Sequence, residues 1–207
     1  MNSTTHFDQA AATWDADPAK VARAQQVAAA IRRGVAIGAH CRALEYGCGT
    51  GLLSFELRAD LAHITLADTS EGMLAVLRDK IAAQGISHMQ PLALDLTDTS
   101  AAATETFDLI YSLMTFHHIP DTQQMLHAFA ANLNAGGAIA ICDLDTEDGS
   151  FHGPDFDGHK GFDRAALQAL AEQAGFKQVR FETVFTIAKP QSAGQKSFPL
   201  FLMLANK

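Results

Sequence analysis

The stretch LEYGCGTGLLS, residues 44–54, decides the fold. Apolar residues lead into it, three glycines alternate through it, and a helical apolar pattern resumes at Leu52, so the order is strand, turn and helix. Gly47, Gly49 and Gly51 lack a Cβ, which lets the backbone adopt a positive φ and lie against a bound molecule. The stretch therefore predicts a ligand-binding loop, with a plain tight turn as the alternative.

The spacing of the glycines differs from the two common phosphate-binding patterns. It is G-x-G-x-G, whereas the dinucleotide fingerprint places its third glycine where Leu52 stands. A P-loop requires Gly-Lys-Ser/Thr, and no lysine or arginine occurs between Arg42 and Arg58. A loop without a basic residue suits an uncharged nucleoside better than a polyphosphate, although backbone N–H groups can also hold anions.

Acidic residues follow the next two predicted strands. The apolar run HITLA ends at Asp68, and a helix is predicted to begin at Ser70. An acid at this strand end is placed to bind the hydroxyls of a ribose, and a solvated carboxylate or a helix-capping contact is the alternative. Residues 90–96, QPLALDL, predict a strand ending at Asp95, which can accept a hydrogen bond from an adenine amine. Together with Glu45, these acids predict one ligand-facing edge of a sheet.

The whole chain reads as one α/β domain, residues 1–207. Helical and strand patterns alternate, which predicts a doubly wound parallel sheet with helices on both faces. Helices are predicted over residues 18–33 and 161–176, and the last two strands over residues 178–188 and 198–205. The 207 residues are 48% hydrophobic and 18% charged, so they can bury a sizeable core without a dividing linker.

Charge and cysteine content narrow the function classes. The net charge is −8 and the 15 lysines and arginines are scattered, which disfavours a nucleic-acid substrate. No apolar signal core or membrane-spanning run occurs, so a cytoplasmic location is expected. Three cysteines without a C-x-x-C pair are typical of reduced thiols.

The motifs resemble, in order and spacing, those of the class I S-adenosylmethionine-dependent methyltransferases, in the small-molecule branch that includes the ubiquinone and menaquinone methylases. The resemblance covers nearly all of the chain. Beyond the glycine loop and the acids, it rests on FDLIYSLMTFHHIPD (residues 107–121), LNAGGAIAICDLD (residues 133–145) and FDQAAATWDADP (residues 7–18). It implies seven strands, the last of them antiparallel to the rest.

The resemblance also implies the cofactor, S-adenosylmethionine, and its product, S-adenosylhomocysteine. The residues that it places at the cofactor are Trp14, Glu45, Gly47, Cys48, Gly49, Gly51, Asp68, Thr69, Met73, Asp95, Leu96 and Ser112. The sulfonium methyl group is already activated, so positioning supplies most of the rate. The enzyme has then only to hold the cofactor and, for a hydroxyl or an acidic carbon, to take the acceptor's proton. We therefore expect few strictly catalytic residues.

The acceptor is expected at the carboxyl edge of the sheet. Its predicted pocket residues are Phe7, Phe116, Asp143 and His159. His117 and His118 are candidate general bases because imidazole titrates near neutral pH, and packing or helix capping is the alternative role. Position in the family favours His118 slightly. Trp14 either stacks near the ligands or anchors the amino-terminal segment.

Two segments are predicted to cover the site: residues 1–17 as an amino-terminal cover and residues 146–162 as a lid loop. The lid contains His152, Asp155, Asp157 and His159, whose types suit a divalent ion. Their spacing matches no known ligand pattern, so a polar, mobile lid is the preferred interpretation and no metal is predicted.

The predicted function is transfer of the methyl group of S-adenosylmethionine to a small-molecule acceptor, without nucleic-acid or membrane partners. Methylation of RNA or protein is one alternative, and a non-catalytic cofactor-binding module is another. The segment SLMTFHH, residues 112–118, replaces the Asn-Pro-Pro-Tyr or Asp-Pro-Pro-Tyr segment found in enzymes that methylate amino groups of bases and glutamine. The resemblance therefore disfavours that reaction.

Overall fold

Seven strands form one sheet in the computed structural model, which describes residues 3–96, 105–191 and 194–207. Their order is β3-β2-β1-β4-β5-β7-β6. The strands are β1 Arg42–Tyr46, β2 His63–Asp68, β3 Met89–Ala93, β4 Phe107–Leu113, β5 Leu133–Leu144, β6 Lys177–Gln191 and β7 Gly194–Asn206. Strand β7 is antiparallel to both of its neighbours, and the pairs from β3 to β5 are parallel. The predicted architecture is confirmed.

Helices precede the first strand and connect most of the later ones. They are α1 Ser3–Ala10, a 3₁₀ helix Ala11–Ala16, α2 Pro18–Gly34, α3 Leu52–Leu57, α4 Glu71–Ala83, a 3₁₀ turn Phe116–His118, α5 Thr122–Asn132 and α6 Arg164–Gln173. Helices α2, α4, α5 and α6 begin at side-chain caps. The side chains of Asp17, Ser70 and Asp163 accept backbone N–H bonds at the starts of α2, α4 and α6. None of the helices in the described residues is long and apolar enough to cross a membrane.

Two hydrophobic clusters cover the two faces of the sheet. Ala43 of β1 belongs to the cluster that includes α2, α3 and α4, whereas the adjacent Leu44 belongs to the cluster that includes α5 and α6. Neighbouring residues of a strand point to opposite faces, so a strand covered on both sides is apolar at consecutive positions. This explains the continuous apolar runs in β1, β4 and β5.

Two strand boundaries differ from the prediction. Strand β3 ends at Ala93, so Asp95 lies two residues beyond it, where its carboxylate accepts a bond from the Tyr46 hydroxyl at 3.2 Å. Strands β6 and β7 extend past the apolar runs as a two-stranded arm that includes the pair Lys189 and Lys196. An arm paired only with itself buries little apolar surface, so hydrophobic periodicity does not reveal it.

Candidate active site

The glycine loop leaves β1 and enters α3 at the carboxyl edge of the sheet. The N–H groups of Gly47 and Cys48 donate to the carbonyl oxygen of Ala67 at 2.8 and 3.0 Å, which ties the loop to β2. Gly47 has φ +70°, and a Cβ there would lie 2.2 Å from the Thr115 side chain after β4. A side chain at position 47 would therefore be strained and would clash, which explains the glycine.

Asp68, at the end of β2, joins the glycine loop to the start of α4. Its carboxylate accepts the N–H of Gly49 at 2.7 Å and that of Ser70 at 2.8 Å. Burial raises the pKa of Asp68, and these backbone bonds oppose that rise. A carboxylate offers about four lone-pair positions, so two bonds leave capacity for ligand hydroxyls. Asp68 is thus both a loop anchor and an available acceptor.

Glu45 and Ser112 were predicted to lie at the cofactor. Their side chains lie beneath the glycine loop instead. The carboxylate of Glu45 is buried and accepts the hydroxyl of Ser54, which is 2.5 Å from the Tyr111 hydroxyl. Burial raises the pKa of Glu45 to about 8. Ser112 is also buried, and its hydroxyl donates to the Tyr46 carbonyl at 2.9 Å. Both side chains are committed to the scaffold.

The residues predicted around the nucleoside fall into two groups. Thr69 is exposed at the edge, and Asp95 is half-buried beside it in the sheet order. Met73 and Leu96 are buried. Met73 lies in the first turn of α4, where its sulfur would be 3.8 Å from a Cβ at Gly49, and Leu96 belongs to the cluster of α5 and α6. The side chain of Leu96 therefore packs mainly into the core.

The amino-terminal helix α1 docks on α4. The carboxylate of Asp8 accepts the Ser70 hydroxyl at 2.6 Å and the Gly72 N–H at 2.9 Å. Gly72 permits this contact because a Cβ there would lie 2.8 Å from the backbone of Asp8. Asp8 therefore bonds to Ser70, the residue whose backbone N–H also donates to Asp68.

The 3₁₀ helix that follows α1 reaches the glycine loop. Asp15 accepts the Thr50 hydroxyl at 2.5 Å and pairs with the Lys80 ammonium at 2.6 Å. Trp14 lies under the ammonium of Lys20, 3.5 Å from the ring centroid. The sequence prediction missed Asp8 and Asp15, because polar residues of a short segment carry no signal of what they contact. Residues 1 and 2 of the predicted cover lie outside the described residues.

The buried imidazole of His117 lies in the turn after β4, and the buried carboxylate of Asp143 lies near the end of β5. Asp143 accepts from Nδ1 of His117 at 2.7 Å and from the His117 N–H at 3.2 Å, and both residues are almost fully buried. Nε2 of His117 is buried with no hydrogen-bond partner among the described residues. A carboxylate on Nδ1 fixes the tautomer and leaves Nε2 as a proton acceptor. The pair is therefore arranged as an oriented base.

His118 and His152 complete a cluster of aromatic rings around His117. The His118 ring meets the edges of Phe7 and Phe156 at centroid distances of 5.4 and 5.3 Å. His152 stacks on Phe156 at 4.0 Å. Burial lowers the pKa of His118 to about 3 and that of His152 to about 4, so both rings are neutral near pH 7. Ligand atoms of the three histidines lie within 4.8 Å of one another, a donor set that is also chemically able to hold a metal ion.

Three predicted acceptor-pocket residues have other positions. Phe116 is completely buried against Phe129, so its prediction as a pocket residue is wrong: the 3₁₀ turn directs it into the core. Asp143 lies behind His117, which corrects its predicted place at the acceptor. Nε2 of His159 lies 2.9 Å from the carbonyl oxygen of Ile119, so this ring fastens the loop. The Phe7 ring contacts the His118 ring at a centroid distance of 5.4 Å.

The loop of residues 146–162 is held at both ends. Asp145 and Phe162 form a parallel bridge, the Glu147 N–H donates to the Lys160 carbonyl at 2.9 Å, and the His159 N–H donates to the His117 carbonyl at 2.8 Å. Between these anchors the loop brings His152 and Phe156 to the histidine cluster. The acceptor side therefore combines four segments: α1, the turn after β4, the end of β5 and this loop.

Comparison with known proteins agrees with this geometry. Residues 43–137 match a family model described as a methyltransferase domain. The chain is 33% identical over 117 residues to a demethylmenaquinone methyltransferase of Clavibacter sepedonicus, covering 56% of this chain and 46% of that relative. It is 28% identical over 100 residues to a ubiquinone biosynthesis O-methyltransferase of Aeromonas salmonicida, covering 48% and 42%. The chain thus spans less than half the length of these curated relatives.

A solved structure with the same fold is that of phosphoethanolamine N-methyltransferase 2 from Haemonchus contortus in complex with S-adenosyl-L-methionine. The TM-score is 0.70 at 16% identity, over 88% of this chain and 52% of that chain. The sequence matches, the strand order and the position of the glycine loop beside Asp68 all indicate the same fold. Residues 43–137 are therefore similar in sequence to a methyltransferase domain, and the chain shares the fold of that solved methyltransferase structure.

Proposed function

We propose that this protein binds S-adenosylmethionine at the glycine loop and transfers its methyl group to a small-molecule acceptor at the histidine cluster. The observation that carries the proposal is the placement of Asp68, whose carboxylate bonds to the loop at Gly49 and still faces the ligand edge. Backbone from residues 47–51 supplies the close approach that a nucleoside requires, and Asp68 supplies an acceptor for its ribose hydroxyls.

The chemistry follows from the cofactor and from His117. Held by the glycine loop and Asp68, the cofactor would supply an activated methyl group, whose bond to sulfur would break as an oxygen or carbon of the acceptor bonds to the methyl carbon, with S-adenosylhomocysteine as the leaving group. The acceptor's proton moves to Nε2 of His117, while Asp143 stabilises the imidazolium that forms. Family position favoured His118 as the base, but burial lowers its pKa to about 3, and the imidazole that the Asp143 carboxylate orients is His117.

Several features support a small acceptor. The cluster is formed by Phe7, His118, His152 and Phe156, which pack closely enough for ring contacts between 4.0 and 5.4 Å. Such a site suits a small planar molecule, since aromatic rings favour edge and stacking contacts. Two of the curated relatives bear names of quinone-pathway methyltransferases. The net charge of −8 argues against a nucleic-acid acceptor.

Two measurements test the proposal. In calorimetry, S-adenosylhomocysteine should bind and nicotinamide dinucleotide should not; the reverse preference would overturn the cofactor assignment. With methyl-labelled S-adenosylmethionine, label should move to hydroquinone or catechol acceptors and not to RNA or protein. Label appearing in RNA or protein would establish the alternative function, and tight cofactor binding without any transfer would favour a non-catalytic module.

A further inference from the structure

Three histidine side chains from two segments of the chain meet on the acceptor side. His117 and His118 lie in the 3₁₀ turn after β4, and His152 lies in the 146–162 loop. One ring nitrogen of each histidine lies within 4.8 Å of a ring nitrogen of the other two. The centroid of the His117 ring is 4.1 Å from that of His118 and 5.0 Å from that of His152. The sequence prediction of no metal weighed only residues of the loop, because a set drawn from two segments has no spacing pattern.

His117 has one ring nitrogen that is committed and one that is available. Nδ1 donates to the Asp143 carboxylate at 2.7 Å, and the Leu144 N–H also donates to that carboxylate at 2.7 Å. Nε2 is buried and has no hydrogen-bond partner among the described residues. A buried polar atom without a partner is uncommon in folded proteins and often marks the place of an ion or a water. Histidines that bind metals usually donate their second ring nitrogen to a carboxylate or a carbonyl, as His117 does to Asp143.

The other two histidines complete the donor set toward the surface. His118 is half-buried and His152 is exposed, and Phe156 contacts both rings at centroid distances of 5.3 and 4.0 Å. His159, in the same loop, does not belong to the set, because its Nε2 lies 2.9 Å from the Ile119 carbonyl oxygen. The set therefore consists of three imidazoles, one oriented from behind by a carboxylate and one open to solvent.

We propose that His117, His118 and His152 form a binding site for a divalent transition-metal ion of the Zn²⁺ type. Imidazole nitrogens suit Zn²⁺ and its neighbours in the first transition series, whereas Mg²⁺ and Ca²⁺ prefer oxygen ligands. With Zn–N distances of about 2.0–2.1 Å, a tetrahedral site places its nitrogens about 3.3 Å apart, so the set has to close by about 1.5 Å at most. A change in the rotamer of the exposed His152 can supply this closure.

Metal binding has a consequence for the proposed function, on which this part of the inference rests. Nε2 of His117 can hold either the acceptor's proton or a metal ion, because both use the same lone pair. Zn²⁺ should therefore compete with proton transfer and lower the turnover of a hydroxyl acceptor. Three protein ligands leave a fourth position on the ion, which a water or another small molecule can occupy.

The experiment first measures metal binding by the 207-residue chain without cofactor. The protein is treated with a chelator and titrated with Zn²⁺ in a calorimeter, and binding of one ion per chain is expected. His152→Ala removes an exposed ligand, so the fold should be retained while Zn²⁺ affinity falls by at least about tenfold. His118→Asn should cause a loss of similar size. His127→Ala, which removes an exposed histidine on α5, is the matched control and should bind Zn²⁺ as the parent does.

A second measurement separates the histidine site from nonspecific binding at the surface. Co²⁺ in a four-coordinate histidine site absorbs visible light strongly, whereas Co²⁺ surrounded by water absorbs weakly. The strong absorption should appear in the parent and in His127→Ala, and it should be lost in His152→Ala. The inference is overturned if the parent binds no Zn²⁺, if His152→Ala and His118→Asn bind it as tightly as the parent, or if Co²⁺ gives only the weak spectrum.

Turnover and cofactor binding distinguish this inference from the proposed function. Zn²⁺ should lower methyl transfer by the parent and leave its S-adenosylhomocysteine affinity unchanged, because the glycine loop and Asp68 supply no ligand to the ion. Faster transfer with Zn²⁺ would overturn the competition at Nε2. Zn²⁺ should also raise the melting temperature of the parent and not that of His152→Ala, since an ion that binds only the folded chain stabilises it. Absence of S-adenosylhomocysteine binding would overturn the proposed function alone, and absence of Zn²⁺ binding would overturn this inference alone.

Discussion

The two halves of the ligand edge are built differently. On the cofactor half, Asp68 and the glycine loop are fixed by short backbone bonds between adjacent strand ends. On the acceptor half, His117 is oriented by Asp143 from the next strand, and its ring lies against His118 of the same turn and His152 of the 146–162 loop. The first half depends on local chain geometry, whereas the second depends on contacts between distant segments.

Because they are built differently, the two halves can have different functions. In the proposed function, the cofactor would be held mainly by the backbone of residues 47–51 together with the Asp68 carboxylate, so few side chains on this half decide its binding. The proposed acceptor would be selected by side chains on α1, the turn after β4 and the 146–162 loop, which can change without disturbing the sheet. Substitutions in the cofactor half should therefore affect binding of the cofactor, and substitutions in the acceptor half should affect turnover and substrate choice.

The largest effect is expected at His117. His117→Asn removes the proton acceptor, so turnover should fall by about 10² to 10⁴-fold while S-adenosylhomocysteine affinity stays nearly unchanged. His118→Asn should have a much smaller effect on turnover, since the Asp143 carboxylate bonds to the ring of His117 and burial lowers the pKa of His118. Steady-state kinetics and calorimetry measure the two quantities, with the exposed His127→Asn as the control. Full activity of His117→Asn would mean that positioning suffices.

The second effect tests the cofactor half. Asp68→Ala removes a buried carboxylate that anchors Gly49, so S-adenosylhomocysteine binding should weaken by on the order of 2 kcal/mol or more, about thirtyfold. The control is Asp79→Ala, an exposed acid on α4. Calorimetry at constant ionic strength measures the affinity of both variants and of the parent protein for S-adenosylhomocysteine. An Asp68→Ala protein that binds as tightly as the parent would contradict the role of Asp68.

The cofactor half was easier to predict from the sequence than the acceptor half. The glycine loop, Asp68 and the cap at Ser70 were predictable because each is a local pattern with a local cause. The error at Phe116 arose because one residue of a three-residue 3₁₀ turn decides which side chain enters the core, and periodicity does not resolve so short an element. The position of Asp143 behind His117 was likewise unpredictable, since it depends on the register between β4 and β5.

A smaller effect is expected where the two halves meet, at the amino-terminal cover. Asp15 links the cover to Thr50 and Lys80, and its side chain is one-third exposed. Asp15→Ala should weaken S-adenosylhomocysteine binding by a few fold and leave the melting transition cooperative, because partly exposed ion pairs contribute about 1 kcal/mol or less. Amide exchange should show residues 3–16 gaining protection when S-adenosylhomocysteine is added. Equal protection with and without the ligand would make the segment a permanent part of the core.

The smallest effect on ligand binding is expected at Glu45. Its substitution tests whether this residue supports the glycine loop or contacts the cofactor directly. Glu45→Gln keeps a polar group for Ser54, so S-adenosylhomocysteine affinity should change by less than about twofold. Burial raises the pKa of Glu45 from 4.5 to about 8, so the folded protein holds this proton more tightly than the unfolded chain. The stability from that proton is complete below pH 4.5 and is lost as the pH rises toward 8.

Glu45→Gln has no such proton to lose, so the parent should lose stability relative to this variant by at most about 1.4 kcal/mol per pH unit over that range. Urea unfolding at pH 5 and pH 8 measures the change, and Glu172→Gln, an exposed acid on α6, is the control. A pH-independent difference would show that Glu45 is ionised in the folded protein. A large loss of cofactor affinity in Glu45→Gln would instead return Glu45 to the ligand-contacting residues, and the cofactor half would then depend on side chains more than its geometry indicates.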